Sequence, residues 1–501
     1  MRPFAFLALA SLAAVPQSGS TPYAGAQRPP AELKRGFDSI SEKEARGMLG
    51  FLAGSQCQGR GSGQPGFQKA AEFVAARFKA AGLKPLGDRG TYFQNATFYL
   101  PTVRNARFEI GSAAASGDAA FQMNASGRDV DVDGDVVLFR MGADAHLSAE
   151  QLAAAKGRIV VVRYPGGSKA LDLAGQMLKA DARACVEVVN VLYPSQERPS
   201  MYDRADDPPP VLGQITHRAL AALDSNADAF LSAQERGASV LDTGRHARLS
   251  ARGEVQRIPV PNVVGMVEGS DPTLKAEVVG LGAHLDHLGT YASGVTYPGA
   301  DDDGSGSTAV MLIANAVAAN PVKPRRSVVF MAFFGEEMGL LGSKYLVAHP
   351  PFPIDKMVAE LQMDMVGRDS EGKQNGDPSR VDRREENVDT MRLVGSRRIS
   401  TDLDRSIQDM NRYVGFRFKY DSDDVYRRSD HYSFAVKGIP VAFLFDGFHP
   451  DYHRSTDTVD KIDWTKLTNA ARLYYLVLMK VANDPVAPRK DVPPEGPASG
   501  R

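Results

Sequence analysis

Five separate stretches of the chain carry residues able to hold a hard metal ion or move a proton. His284, Asp286 and His287 follow the apolar stretch Glu277–Ala283, and Asp301-Asp302-Asp303 precede Gly304 and a helix start. Glu336-Glu337 come one glycine after Ser327–Phe334, Asp364 closes Met357–Met363, and His453 lies eight residues beyond Ile439–Phe445. Imidazoles and carboxylates without thiolates suit zinc or a similar first-row ion. One zinc takes about four ligands, an open position included, so this supply is rich enough for two. Two ions about 3.5–4 Å apart can share a carboxylate and a water, lower the pKa of that water and polarise a carbonyl. A carboxylate that is not a ligand must then accept the proton of the water. Glu336 and Glu337 stand side by side, one able to ligate and one to act as base.

The elements around these residues explain how they could meet. From about residue 256, strand-like stretches (Val263–Val267, Glu277–Ala283, Ser327–Phe334, Met357–Met363, Ile439–Phe445) alternate with helices predicted at Ser305–Ala319 and Thr465–Ala482. Such alternation predicts an α/β fold with a mixed, largely parallel sheet flanked by helices. In open α/β sheets ligands gather outside the carboxyl ends of the strands, where all five stretches lie. Upstream, Ser41 with Glu44 forms a capping box ahead of Ala45, Met48, Leu49 and Leu52, and Phe67, Ala71, Val74 and Phe78 repeat at helical spacing.

Between about 101 and 255 the texture changes to short β-rich runs at Asp135–Arg140, Arg158–Tyr164 and Val186–Leu192, with a helix at Ala170–Lys179. This reads as a β-rich domain inserted into a catalytic domain made of 40–100 and 256–485. Residues 369–390 read as a polar loop, Asp206-Asp207-Pro208-Pro209-Pro210 as a surface loop, and the proline-rich 486–501 as a disordered tail.

Composition excludes other classes. Lys+Arg 59 against Asp+Glu 60 lacks the clustered basic excess of a nucleic-acid binder. Two cysteines, Cys57 and Cys185, permit one disulfide at most, and Cys185 reads as a buried small hydrophobe. Phe4–Val15 is apolar but too short for a bilayer, and Pro16 and Ala24-Gly25-Ala26 follow it. Residues 1–26 therefore read as a secretory signal peptide, with an exported, periplasmic or extracellular protein and no transmembrane segment.

The stretches GAHLDHLG (282–289), PGADDDGSGSTAVM (298–311), FFGEEMGLLGS (333–343), LQMDMVG (361–367), SDHYSF (429–434) and GIPVAFLFDG…DYHRSTDT (438–458) resemble the M28 family of zinc aminopeptidases. LAGSQCQGRGSGQPGFQKAAEF (52–73) resembles the start of the same catalytic domain. The resemblance implies a zinc exopeptidase fold, two Zn2+ per chain and peptide or protein substrates with a free N-terminus. It implies His284 and Asp364 on one metal, Glu337 and His453 on the other, and Asp302 bridging both. Glu336 matches the general base, and Asp286 matches a carboxylate that orients His284. Tyr452 takes the place of a phenol that stabilises the oxyanion in some members. Asp301 and Asp303 serve the turn and the helix N-terminus, and Asp430-His431 gives structural support. Met365, Phe443 and Phe445 are apolar candidates for the substrate pocket. Relatives with this architecture include carboxypeptidases and single-zinc glutaminyl cyclases, and a receptor-like homologue would have lost ligands; here none is missing. KGRIVVVRYPGG (156–167) and 170–192 resemble a protease-associated (PA) domain, although Arg183-Ala184-Cys185 replaces that family's Gly-Ala stretch.

Overall fold

The computed structural model describes residues 21–492 except 118, 124–126, 142–145, 165–169, 193–200, 202–211, 234–237, 292–293, 372–381, 383 and 421–424. The stretch before residue 21, the Pro208–Pro210 loop and the tail from 493 lie outside the described residues. The chain forms two compact units. One comprises Met1–Gln94, Pro261–Thr290 and Thr296–Arg501; the other comprises Asn95–Val260 with Tyr291–Val295.

In the first unit the strand Val278–His284 is central and runs parallel to Ser327–Phe333 on one side and to Met357–Met363 on the other. Val441–Phe445 adds parallel to Met357–Met363. Outside these, residues 263–267 pair antiparallel with Ser327–Phe333, and Thr390–Val394 pairs antiparallel with Val441–Phe445. The result is a mixed, largely parallel α/β sheet. Every residue of Val278–His284 and Ser327–Phe333 is buried, as strands covered on both faces require. The helices Gly304–Ala319 and Trp464–Asn483 pack on each other and on this sheet. Local chemistry sets their starts: Ser41 accepts from the amide of Glu44 (3.3 Å) ahead of Glu42–Leu52, Pro65 opens Pro65–Ala80, and Asp463 accepts from the amide of Lys466 (2.9 Å). Because the four central strands run the same way, His284, Phe333, Met363 and Phe445 all end on one edge of the sheet.

In the second unit Val130–Arg140, Ile159–Arg163, Ala184–Val189 and Leu212–Thr216 run parallel in that order. Phe121–Met123 closes one side, and residues 239–251 pair antiparallel with Val130–Arg140 on the other. Its core is aliphatic and aromatic, with Phe108, Leu138, Ile159, Val161, Val186 and Ile215 fully buried.

Three readings change. His284 is the last residue of its strand rather than the first beyond it. The loop expected at 369–390 contains the helix Arg384–Asn387, and the sheet continues into Thr390–Val394 and Arg417–Tyr420. The tail expected to be disordered from 486 is docked as far as 492: Arg489 pairs with Asp402 (2.7 Å), Asp491 accepts from the amide of Thr401 (2.9 Å), and the amide of Val492 donates to Ile399 O (3.2 Å). Prolines prevent this segment from pairing with itself but leave its charged side chains free to dock. Tyr23, inside the stretch read as a signal peptide, packs on the first unit. Its amide donates to Val414 O (2.9 Å), its hydroxyl to Val388 O (2.7 Å), and its ring meets Phe416 edge-on at 5.1 Å. Cys57 and Cys185 are both free and buried. Among the described residues, no helix is long and apolar enough to cross a membrane.

Candidate metal centre and active site

The ends of the parallel strands gather the predicted ligands into one cluster. His284 is 1% exposed; its Nε2 lies 3.3 Å from Asp302 Oδ1, 3.4 Å from Asp364 Oδ1 and 4.0 Å from Glu336 Oε2. His453 Nε2 lies 3.0 Å from Glu337 Oε2 and 3.3 Å from Asp302 Oδ2. Asp302 therefore faces both imidazoles, one through each carboxylate oxygen.

The ligand atoms of His284, Asp302 and Asp364 all lie within 4.8 Å of one another, and so do those of His287, Asp302 and Glu337. Buried charge of this kind needs a cation, because carboxylates taken out of water without partners are costly. Asp302 Oδ2, Glu337 Oε1 and both ring nitrogens of His287 are buried without a well-aligned hydrogen bond. These donors, oxygen and imidazole nitrogen, fit two zinc-like ions.

The loops carrying these groups are held by main-chain bonds. Asp303 accepts from the amides of His284 (3.1 Å), Gly306 (2.9 Å) and Met365 (3.2 Å), so one carboxylate ties together three of the segments that form the site. Asp457 Oδ2 accepts from the amides of Asp301 (2.9 Å) and Asp302 (3.1 Å), and the following Asp302–Asp303 peptide is cis. Ser429 donates to Asp364 Oδ2 (2.7 Å). Gly299 has φ +58, and a Cβ there would lie 2.5 Å from the His287 ring, so glycine is required. Met365 and His453, neither a glycine, both take φ +55 in the left-handed region, strain of the kind that collects at functional sites.

The Asp286 carboxylate stays within ion-pair range of His284 and also reaches the Glu336 loop. His284 Nδ1 meets the main-chain carbonyl of Asp286 at 3.0 Å, while the Asp286 carboxylate stands 3.8 Å away and accepts from the amide of Glu336 (3.1 Å). The side chain thus bridges towards the Glu336 loop. His287, singled out by sequence but given no role there, is fully buried with Nδ1 2.7 Å from Glu337 Oε1. Asp457 and Ser429 were not singled out, although both sit inside the quoted motifs.

The environment separates the two adjacent glutamates. Burial pushes Glu336 well above the usual carboxylate range, with the charges of Glu337, Asp364 and Asp430 acting in the same direction and His284 opposing them. Burial also raises Glu337, but His287 and His453 outweigh it and hold that carboxyl below its usual value. Neighbouring carboxylates pushed apart in this way are suited to different tasks.

A cleft opens on the cluster. Asp302, Glu336 and Asp364 face it on one side; Met365, Phe443 and Phe445 form an apolar wall, extended by Val425 and Phe448. Tyr452 stacks on His453 with centroids 3.9 Å apart and accepts from Arg428 Nη2 at 3.3 Å. Burial, together with Asp302 and Glu337, raises its phenol above the ordinary tyrosine range, so it stays protonated.

Residues 262–478 match Peptidase family M28. A probable leucine aminopeptidase of Arthroderma otae is 27% identical over 239 residues, 43% of this chain and 61% of that protein. Leupeptin-inactivating enzyme 1 of Streptomyces exfoliatus is 27% identical over 251 residues, 45% of this chain and 50% of that protein. The chain thus spans between half and three-fifths of the length of these curated relatives. A zinc aminopeptidase from Bacillus subtilis has the same fold: TM-score 0.53 at 17% identity, covering 93% of this chain and all of that one.

Proposed function

We propose that this chain, whose residues 262–478 match Peptidase family M28, is a secreted dinuclear zinc aminopeptidase acting on peptides with a free N-terminus. The observation that carries the proposal is Asp302, with one carboxylate oxygen 3.3 Å from His284 Nε2 and the other 3.3 Å from His453 Nε2. A carboxylate so placed suits a bridge between two ions.

His284 and Asp364 would hold one zinc, Glu337 and His453 the other, and Asp302 both. When bound, the ions supply a water of lowered pKa and polarisation of the scissile carbonyl. Glu336 is buried, faces the cleft and lies 4.0 Å from His284. It takes the proton of the attacking water and returns it to the leaving amine, a role its raised pKa suits. The carboxylates at the cleft floor favour an ammonium group, which selects a free N-terminus. Met365, Phe443 and Phe445 receive an apolar first side chain, and the Tyr452 hydroxyl donates to the developing oxyanion. The apolar stretch Phe4–Val15 supports export, and the segment 156–192 supports a PA-like inserted domain.

Hydrolysis of aminoacyl-arylamides by zinc-loaded protein tests this. Glu336→Gln lowers kcat by about 10²–10⁴-fold with zinc content unchanged. Full activity in that variant removes Glu336 as the base. Cleavage of N-blocked substrates in preference to free ones overturns the aminopeptidase assignment, and one zinc per active chain overturns the dinuclear one.

A further inference from the structure

Arg60 reaches the candidate metal centre from outside residues 262–478, and it is fully buried. Its Nε donates to Leu285 O (2.9 Å), Nη1 to Leu52 O (3.0 Å) and Pro298 O (2.7 Å), and Nη2 to Gly299 O (2.8 Å) and, at greater length, Asp302 O (3.4 Å). All five acceptors are main-chain carbonyls. Its own carbonyl accepts from the amide of His287 (3.2 Å), and Gly61 bridges to His287. The residue takes φ +53, a conformation that a non-glycine residue holds only when its surroundings dictate it.

A guanidinium removed from water without a carboxylate partner requires a specific compensation. Here that is a set of carbonyl dipoles, together with the negative charge of Asp302, Asp303 and Asp457, which favours the cation against burial. The acceptors fall on three segments: Leu52 ends the helix Glu42–Leu52, Leu285 directly follows the ligand His284, and Pro298 to Asp302 leads into the ligand Asp302. A planar fork with five donors can span such a set, whereas an ammonium with three donors on a flexible stem cannot.

We infer that Arg60 is a positioning residue for the metal centre, fixing the His284 loop against the Asp302 loop so that both ligands face one ion. This rests on the dinuclear zinc assignment above.

Arg326 supplies the control. It is also fully buried, pairs with Glu277 (2.6 Å) and donates to Val481 O (3.0 Å), and it precedes the strand Ser327–Phe333 at the end opposite the site. Zinc affinity measured by chelator competition, alongside Tm, compares the full-length wild type with R60K, R60Q and R326K. R60K and R60Q lose about 10- to 100-fold in zinc affinity, whereas R326K lowers Tm with zinc affinity within about twofold of wild type. Wild-type zinc affinity in R60K, or an equal loss in R326K, overturns the inference. Hydrogen exchange of the wild type avoids any folding defect of the variants: zinc loading protects residues 57–61 together with 284–303. Protection of 284–303 alone overturns the inference. Wild-type protein that takes up no zinc removes the dinuclear assignment and this inference together, whereas zinc uptake with an unaffected R60K removes this one only.

Discussion

The two units use the same acidic residues in opposite ways. In the second unit, aspartates alternate along Val130–Arg140 and face basic groups of the partner strand. Asp131 meets Arg248 at 2.7 Å and Asp135 meets His246 at 3.1 Å, with all four side chains more than half exposed. Arg248 holds the Asp131 carboxyl below its usual range, as an ordinary surface pair does. In the first unit, Asp286, Asp301, Asp302, Asp303, Asp430 and Asp457 are all buried. Exposed pairs are screened and help set strand register and solubility. Buried carboxylates persist only where amides, cations or metal ions repay their desolvation. The count of charged residues is therefore uninformative, and their burial locates the chemistry.

The sharpest way to break this contrast is Asp302→Asn, which removes the shared anion of the buried cluster. It lowers kcat/KM by about 10³-fold or more and reduces zinc content, measured by metal analysis of purified protein. Retention of both ions would mean that the cluster does not depend on its central carboxylate.

A second test concerns a buried group outside the metal centre. His431 is fully buried, and burial pushes its pKa down to about 3 against a main-chain hydrogen bond to Tyr426 that favours the charged form. The unfolded chain takes up a proton near pH 6.5 that the folded chain refuses, so stability falls as pH drops from about 6.5 towards about 3. The loss amounts to roughly 3 kcal/mol at pH 4. Denaturant unfolding of His431→Phe at pH 4 and pH 7 loses this part of the acid sensitivity; an unchanged pH slope would show that the imidazole is protonated in the fold.

The smallest expected effect lies on the exposed side. Asp131→Ala moves the thermal midpoint by about 2 °C or less and leaves zinc affinity and activity unchanged. A larger shift would mean that the exposed ladder carries more than register.

Sequence made the buried side legible in part. Ligand types recurred at the ends of apolar strands, and caps such as Ser41 and Asp463 marked helix starts through short-range chemistry. The edge strand Arg417–Tyr420 escaped notice because it is polar and has no buried residue, so it lacks the apolar signal of a central strand. Asp286 shows a different limit. Its motif fixed its place in the chain, but side-chain direction depends on the Glu336 amide, fifty residues away. His287 and Arg60 were visible as letters, and their partners were not.

Gln94 and Asn262 flank the inserted unit and are joined by a hydrogen bond, Asn262 Nδ2 donating to Gln94 Oε1 at 3.0 Å. At equilibrium the long detour between them matters little, since closure entropy grows only logarithmically with length. During synthesis it matters in time. The helices Glu42–Leu52 and Pro65–Ala80 emerge about 200 residues before the His284 segment, which is roughly 10–40 s at ordinary ribosomal speeds. Throughout that interval Met48, Leu49, Phe67 and Phe78 lack the helix Gly304–Ala319, on which both of their helices pack. Slow elongation lengthens that exposure.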